Sequence, residues 1–307
     1  MNANPNPFKP YEPLRKAEEV QVSIRGLSYC IRHWPVKGRA RFQILMLHGW
    51  MDVSASFQFL IDYLPDDVEV FSPDWRGYGH SSHSPSDTYW FADYLADLDR
   101  LIAELRSQRL ITGPIQLLGH SMGGNVACLY AGIRPDAIAS LINLEGVGMP
   151  ATEANQAPAR YRQWLDELAK GSSPMKSYAD REAVAQRLQQ NNPRLRADYA
   201  AFLATHWAAP AQDGRWHLLA DPSHKGIHPV LYRVDEVLAC WREIKVPVLW
   251  VCSEHMNAWH AFVKTEAYKA RLDSIARRRD VLIRDAGHML HHDQPQALAL
   301  AMTEFLG

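Results

Sequence analysis

Ser121 stands in "GHSMGG", directly after the apolar run "IQLL" and at the head of the helical stretch "SMGGNVACLYAGI". A strand that turns at once into a helix leaves no room beside its corner residue, and the G-x-S-x-G spacing sets Gly119 and Gly123 two positions to either side. Such a corner thrusts the hydroxyl clear of the backbone, beside helix N-terminal amides that carry partial positive charge. A serine hydroxyl is a weak nucleophile and needs a base. His288, in "RDAGHMLHHDQPQ", follows the last apolar run and precedes the last helical segment, so its loop returns to the same sheet edge. His291 and His292 fall on the start of that segment and read as surface or cap-facing residues, without the spacing of a metal site.

The base needs a carboxylate to fix its tautomer and stabilise the imidazolium. Two positions offer one: Glu145, which ends "INLE", and Glu254, which ends "LWVCSE". Neighbouring strands lie about 4.8 Å apart, so either carboxylate can reach a histidine loop folded over the edge. Developing negative charge needs amide donors as well. Met122, next after the serine, supplies one, and Trp50 in "LMLHGWMD", where Gly49 lets the chain turn, supplies the other.

These residues need a frame that brings distant loops together. Eight apolar or alternating runs read as strands, from "VQVSIRG" and "LSYCIRHW", a hairpin closed near Gly26, to "DVLIRDAG". Amphipathic stretches lie between them at 55–64, 90–105, 121–133, 258–275 and 294–306. Continuous apolar strands alternating with helices predict a mostly parallel sheet covered on both faces. The alternation lapses over 150–241, where "ARYRQWLDELAKG", "DREAVAQRLQQNNP" and "LRADYAAFLATHW" have helical spacing, so this interval reads as a helical cap inserted into a core of 19–149 and 242–307. Residues 1–18 read as an extended arm, since Pro5, Pro7, Pro10 and Pro13 prevent regular pairing, and Phe8 and Tyr11 could support its being swapped onto a partner subunit.

Composition narrows the function classes. With 47% hydrophobic and 22% charged residues over 307 positions, the chain has the make-up of a globular protein with a sizeable core. A formal net charge of -1 gives no reason to expect a nucleic acid or acidic membrane surface as partner. No apolar run nears the length of a membrane span, and the polar, proline-rich N-terminus lacks a signal-peptide core. A cytoplasmic protein is therefore expected. Cys30, Cys128, Cys240 and Cys252 are far apart and suit buried thiols rather than disulfides or zinc ligands. His206, His217, His224 and His228 are likewise scattered and read as exposed or packing residues.

Taken in order, "LHGWMD", "DWRGYGHSS", "GHSMGG" and "DAGHMLHHDQPQ" resemble the motifs of the α/β-hydrolase superfamily, over about 41–149 and 246–307. Within it, "LHGWMDVSASF" and the cap are similar to the serine hydrolase-like group of lidded esterases. The resemblance implies an α/β-hydrolase fold with an eight-stranded sheet and a cap inserted after the sixth strand. It also separates the two acids. Many relatives carry G-E-x-D after the seventh strand, whereas the matching residues here are Ser253, Glu254, His255 and Met256, and methionine cannot serve as the acid. Some relatives use a carboxylate after the sixth strand, where Glu145 stands, so Glu145 is the expected acid and Glu254 the alternative.

The activity so implied is hydrolysis of small to medium acyl or aryl esters through an acyl-enzyme, with no metal or organic cofactor. The cap residues Tyr161, Trp164, Phe202, Trp207, Trp216 and Tyr232, with Trp50, Tyr78 and Met122 from the core, could form an aromatic pocket. The same nucleophile and base would serve a lactone, thioester or carbon–carbon bond hydrolase, and a binding protein with a silent triad is the reading from another class.

Overall fold

The computed structural model describes residues 11–85, 88–171, 173–256 and 261–307. The chain opens with Glu18–Ile24 (β1) and Leu27–Trp34 (β2). They pair as a hairpin turned at Arg25 and Gly26, whose φ values of 49° and 77° match the strands' own twist. Phe42–Leu47 (β3) and Val68–Pro73 (β4) flank the short helix Gln58–Ile61 (α1), itself preceded by a 3-10 turn. Phe91–Ser107 (α2), Ile115–His120 (β5), Met122–Ile133 (α3) and Ile138–Leu144 (β6) continue the alternation.

Next come Ala157–Lys170 (α4), Ser177–Tyr178 (β7), Arg181–Asn191 (α5), Ala197–Trp207 (α6), Ala208–Pro210 (β8), Trp216–Leu218 (β9) and Val234–Arg242 (α7). Val248–His255 (β10), Glu266–Leu272 (α8), Arg278–Gly287 (β11), Leu290–Asp293 (α9) and Pro295–Leu306 (α10) complete the chain.

Eight strands form one sheet in the order β1-β2-β4-β3-β5-β6-β10-β11. Every pair from β4 to β11 is parallel, and only β1–β2 and β2–β4 are antiparallel. Parallel strands need covered faces. Helices α2, α3, α7 and α8 close one face over Trp75, Trp241 and Trp250, while α1, α9 and α10 close the other over Trp34, Phe57 and Met302. All loops that follow the parallel strands therefore emerge on one edge, where open α/β sheets bind their ligands.

Three sequence expectations change. The interval 150–241 is not wholly helical: β7, β9 and β8 form a small antiparallel sheet in that order. The strands are two or three residues long, too short to show a period of two, although Asp213–Gly214 marks the hairpin between β8 and β9. The helix read over 258–275 begins only at Glu266, because the Thr265 hydroxyl accepts from Tyr268 N–H and caps a new start; residues 257–260 lie outside the described segments. The described part of the arm lies on the chain's own body. Tyr11 packs edge-on against Phe59 and Tyr199, and its hydroxyl donates to Asp62 at 2.9 Å. Phe8 lies outside the described segments. Among the described residues, no helix is long and apolar enough to cross a membrane.

Candidate active site

The corner that carries Ser121 is built by steric exclusion. Ser121 holds φ 52° and ψ −114°, a conformation few non-glycine residues adopt. It can do so because β5 and α3 nearly touch: a Cβ on Gly119 would run into the backbone of Gly123 and Gly124, and one on Gly123 would stand 2.7 Å from the His48 carbonyl oxygen. Sheet hydrogen bonds fix the neighbouring corner too. Ser121 N–H donates to the Leu144 carbonyl at 2.8 Å, and Glu145, itself at φ 56°, donates from its N–H to Val251 at 3.1 Å.

Ser121, His288 and Glu145 lie in one hydrogen-bonded line. Ser121 Oγ is 3.0 Å from His288 Nε2, and His288 Nδ1 is 2.7 Å from Glu145 Oε2. The second carboxylate oxygen, Oε1, accepts from Ser253 N–H at 2.6 Å and from the Ser253 hydroxyl. A fully buried carboxylate would be costly without such donors, and these leave only Oε2 for the histidine. The loop bearing His288 is tied from beneath, since His120 Nε2–H donates to the His288 carbonyl at 2.8 Å. Burial pushes the His120 imidazole well below its ordinary range, so it stays neutral.

Glu254 takes no part in this line. Its side chain is exposed and accepts from the Asp285 N–H at 3.0 Å. Met256 is 1% exposed and packs into the core.

The loop after β3 reaches the site through the two remaining motifs. Trp75 N–H donates to His48 Nε2 at 2.9 Å, and the Trp75 indole donates to the His48 carbonyl at 3.0 Å. Asp74 accepts from Ser54 N–H at 2.8 Å and from His80 N–H at 3.0 Å. A Cβ on Gly49 would stand 3.3 Å from Ser121 Cβ, which brings the Trp50 backbone beside the nucleophile. Among the described residues, neither Trp50 N–H nor Met122 N–H has a protein acceptor.

These groups open into a cavity of about 750 Å³. Its lining differs from the sequence expectation in most aromatic positions. Trp50, Met122 and Tyr232 line it, whereas Tyr78, Trp164, Trp207 and Trp216 do not. Tyr78 is buried behind the wall, stacked on His224 at 3.8 Å with its hydroxyl accepting from Met51 N–H. The Trp207 indole turns away to donate to Asp52 at 3.2 Å, and Trp216 packs within β9. Their places are taken by Tyr89 and Trp90, from the loop entering α2, and by Phe91 and Tyr94, from its first turn. A signal existed: three consecutive aromatics, 89–91, at the start of a helix are too many for one buried face.

His224 and His228 pack against rings, one of the two readings the sequence allowed, whereas His291 and His292 need correction. His224 and His228 line the cavity, with His224 sandwiched between Tyr78 and Tyr89 and His228 stacked on Trp90 at 4.2 Å. Burial lowers His224 to about 3, and burial followed by nearby Arg160 lowers His228. His291 and His292 are buried rather than on the surface, their Nε2 atoms 3.1 and 2.5 Å from Ser56 Oγ. They sit on α9, which turns inward under the sheet edge.

Asp52, His120 and His291 form a buried group with ligand-type atoms within 4.8 Å of one another. Asp52 Oδ2, His120 Nδ1 and His291 Nδ1 have no protein partner among the described residues. Burial opposes the Asp52 charge, but His291, whose Nε2 is 3.9 Å from Asp52 Oδ2, and the adjacent His292 and His48 bring its carboxyl below the ordinary range. These are the groups that could hold an ion behind Ser121.

Comparison with known proteins gives the family of the fold. Residues 43–295 match the profile of the alpha/beta hydrolase fold family. The chain is 26% identical over 270 residues to a serine hydrolase-like protein of Danio rerio, covering 86% of this chain and 81% of that one. It is 27% identical over 264 residues to 2-(acetamidomethylene)succinate hydrolase of Mesorhizobium japonicum, covering 86% and 87% respectively. Among solved structures, the thioesterase domain from the curacin biosynthetic pathway superposes with a TM-score of 0.81 at 26% identity, over 94% of this chain and 99% of that chain.

Proposed function

The chain belongs to the α/β-hydrolase fold family, and on that premise we propose that it is a serine hydrolase cleaving small to medium carboxylic esters through an acyl-enzyme. The observation that carries this reading is the continuous line of hydrogen bonds from Ser121 through His288 to Glu145, with Ser253 holding the far carboxylate oxygen. As Ser121 Oγ attacks the ester carbonyl, its proton passes to His288 Nε2. Glu145 accepts from Nδ1–H and balances the imidazolium. The Trp50 and Met122 amides receive the oxyanion. His288 then gives its proton to the departing alcohol, and water repeats the two steps to free the acid and restore Ser121.

The remaining parts follow from this assignment. Residues 150–241 act as the cap that sets substrate shape, and 19–149 with 242–307 as the catalytic core. The aromatic wall of Tyr89, Trp90, Phe91 and Tyr232 suits an apolar acyl or aryl group. A thioester or another acyl bond is the second reading, favoured by the thioesterase domain and the succinate-derivative hydrolase among the relatives.

The test is a chain-length series of p-nitrophenyl esters, with matched thioesters, offered to the wild type and to Ser121→Ala. Turnover that disappears without Ser121 supports the reading. Turnover of no acyl substrate, or equal turnover by Ser121→Ala, overturns it.

A further inference from the structure

We infer that Arg160 makes the cavity selective for substrates bearing a carboxylate at the end remote from the reacting bond. The inference rests on the serine hydrolase reading above, because it concerns the same cavity. Arg160 is the one lysine or arginine lining it among the described residues. The surrounding wall carries little charge: burial keeps His224 and His228 neutral at pH 7, and Glu145 is engaged by His288 and Ser253.

What sets Arg160 apart is that it lines the cavity and has no partner among the described residues; Arg162 and Arg187 also lack one but do not line the cavity. Elsewhere in the inserted segment Arg181 pairs with Glu182, Arg196 with Asp198 and Arg233 with Asp235. Arg271, near the same cavity, donates to the Met149 carbonyl at 2.9 Å and lies over Phe262. Arg160 has no carboxylate, carbonyl or aromatic partner among the described residues, although its side chain is only half-exposed. A guanidinium offers five donors in a planar fork that fits a carboxylate with two parallel bonds. One unpaired positive charge also matches one carboxylate, whereas a phosphate dianion would call for a second cation.

The experiment compares kcat/KM for p-nitrophenyl monoesters of adipic and suberic acid with chain-matched neutral p-nitrophenyl alkanoates, and for 4-carboxyphenyl with phenyl esters. The carboxylate is thus offered on either side of the scissile bond. A half-buried guanidinium paired with one carboxylate should give the wild type about a tenfold preference for the charged member of at least one pair. That preference should shrink with added salt, vanish in Arg160→Gln and return in part in Arg160→Lys.

Binding of monoethyl suberate to Ser121→Ala, followed by calorimetry, separates the two levels of argument. Binding that requires Arg160 upholds the selectivity even if no ester is turned over. Active hydrolysis with no charge preference, or a preference that survives in Arg160→Gln, overturns the inference while leaving the esterase reading intact.

Discussion

At the residue scale, Glu145 is the informative member of the site. Both of its oxygens face donors, Ser253 on one side and His288 on the other. An amide in its place must turn its NH₂ toward one of them and set donor against donor. Glu145→Gln is therefore expected to lower kcat by about 10³- to 10⁴-fold on whichever substrate the wild type hydrolyses. Ser121→Ala should lose about 10⁴-fold or more. Glu254→Gln, altering an exposed group outside the line, should change kcat/KM by no more than about twofold. Steady-state kinetics on the three purified variants checks this order, and a large loss at Glu254 with none at Glu145 would reverse the acid assignment.

At the scale of elements, catalysis depends on how closely β5, α3 and the loop after β3 approach. Gly123 lies where they meet, and a methyl group there would press first on the Leu47 carbonyl at the end of β3 and then on the His48 carbonyl. Gly123→Ala should therefore cost about 1–3 kcal/mol of stability, read by urea unfolding, and should depress kcat together with it, because the displaced backbone carries Trp50. A substitution at the far end of the same helix makes the contrast. Gly132 packs on the backbone of Cys240 in α7, so Gly132→Ala should destabilise the fold with a smaller effect on kcat per unit of stability lost. Equal kinetic damage from both would argue against local coupling through the corner.

For the molecule as a whole, several histidines are held neutral by burial, and three of them set a defined pH range: His206 falls to about 4, and His224 and His292 to about 3, from 6.5. In the unfolded chain these groups take up protons near 6.5, while in the folded chain they resist until far lower pH. Their contribution to stability is thus complete above about pH 6.5 and is lost as pH falls toward 3–4. Unfolding free energies at pH 7.5, 6.0 and 5.0 should fall progressively, with the proton uptake on unfolding approaching three for this group. His292→Asn should flatten the dependence by up to one proton whatever it does to absolute stability. A flat profile from pH 7.5 to 5.0 would contradict this account.

The sequence by itself determined the alternation of strand and helix, the serine corner and the family. Each rests on short-range pattern: apolar runs, a glycine on either side of Ser121, and four motifs in order. It also brought the acid to two candidates, since both Glu145 and Glu254 end a strand at the correct edge, and the family resemblance, with Met256 in the usual place of the acid, favoured Glu145. It could not place the cap aromatics or separate His224 and His228 from surface histidines, because an amphipathic helix looks the same whether its apolar face meets a cavity or a core. The ring stacking of His224 between Tyr78 and Tyr89 joins residues more than 130 positions apart. The unpaired state of Arg160 is equally invisible in sequence, where any arginine has acids within reach. Only tertiary structure decided which carboxylates, rings and cations meet, because those contacts are set by the packing of loops and helices that local sequence periodicity does not encode.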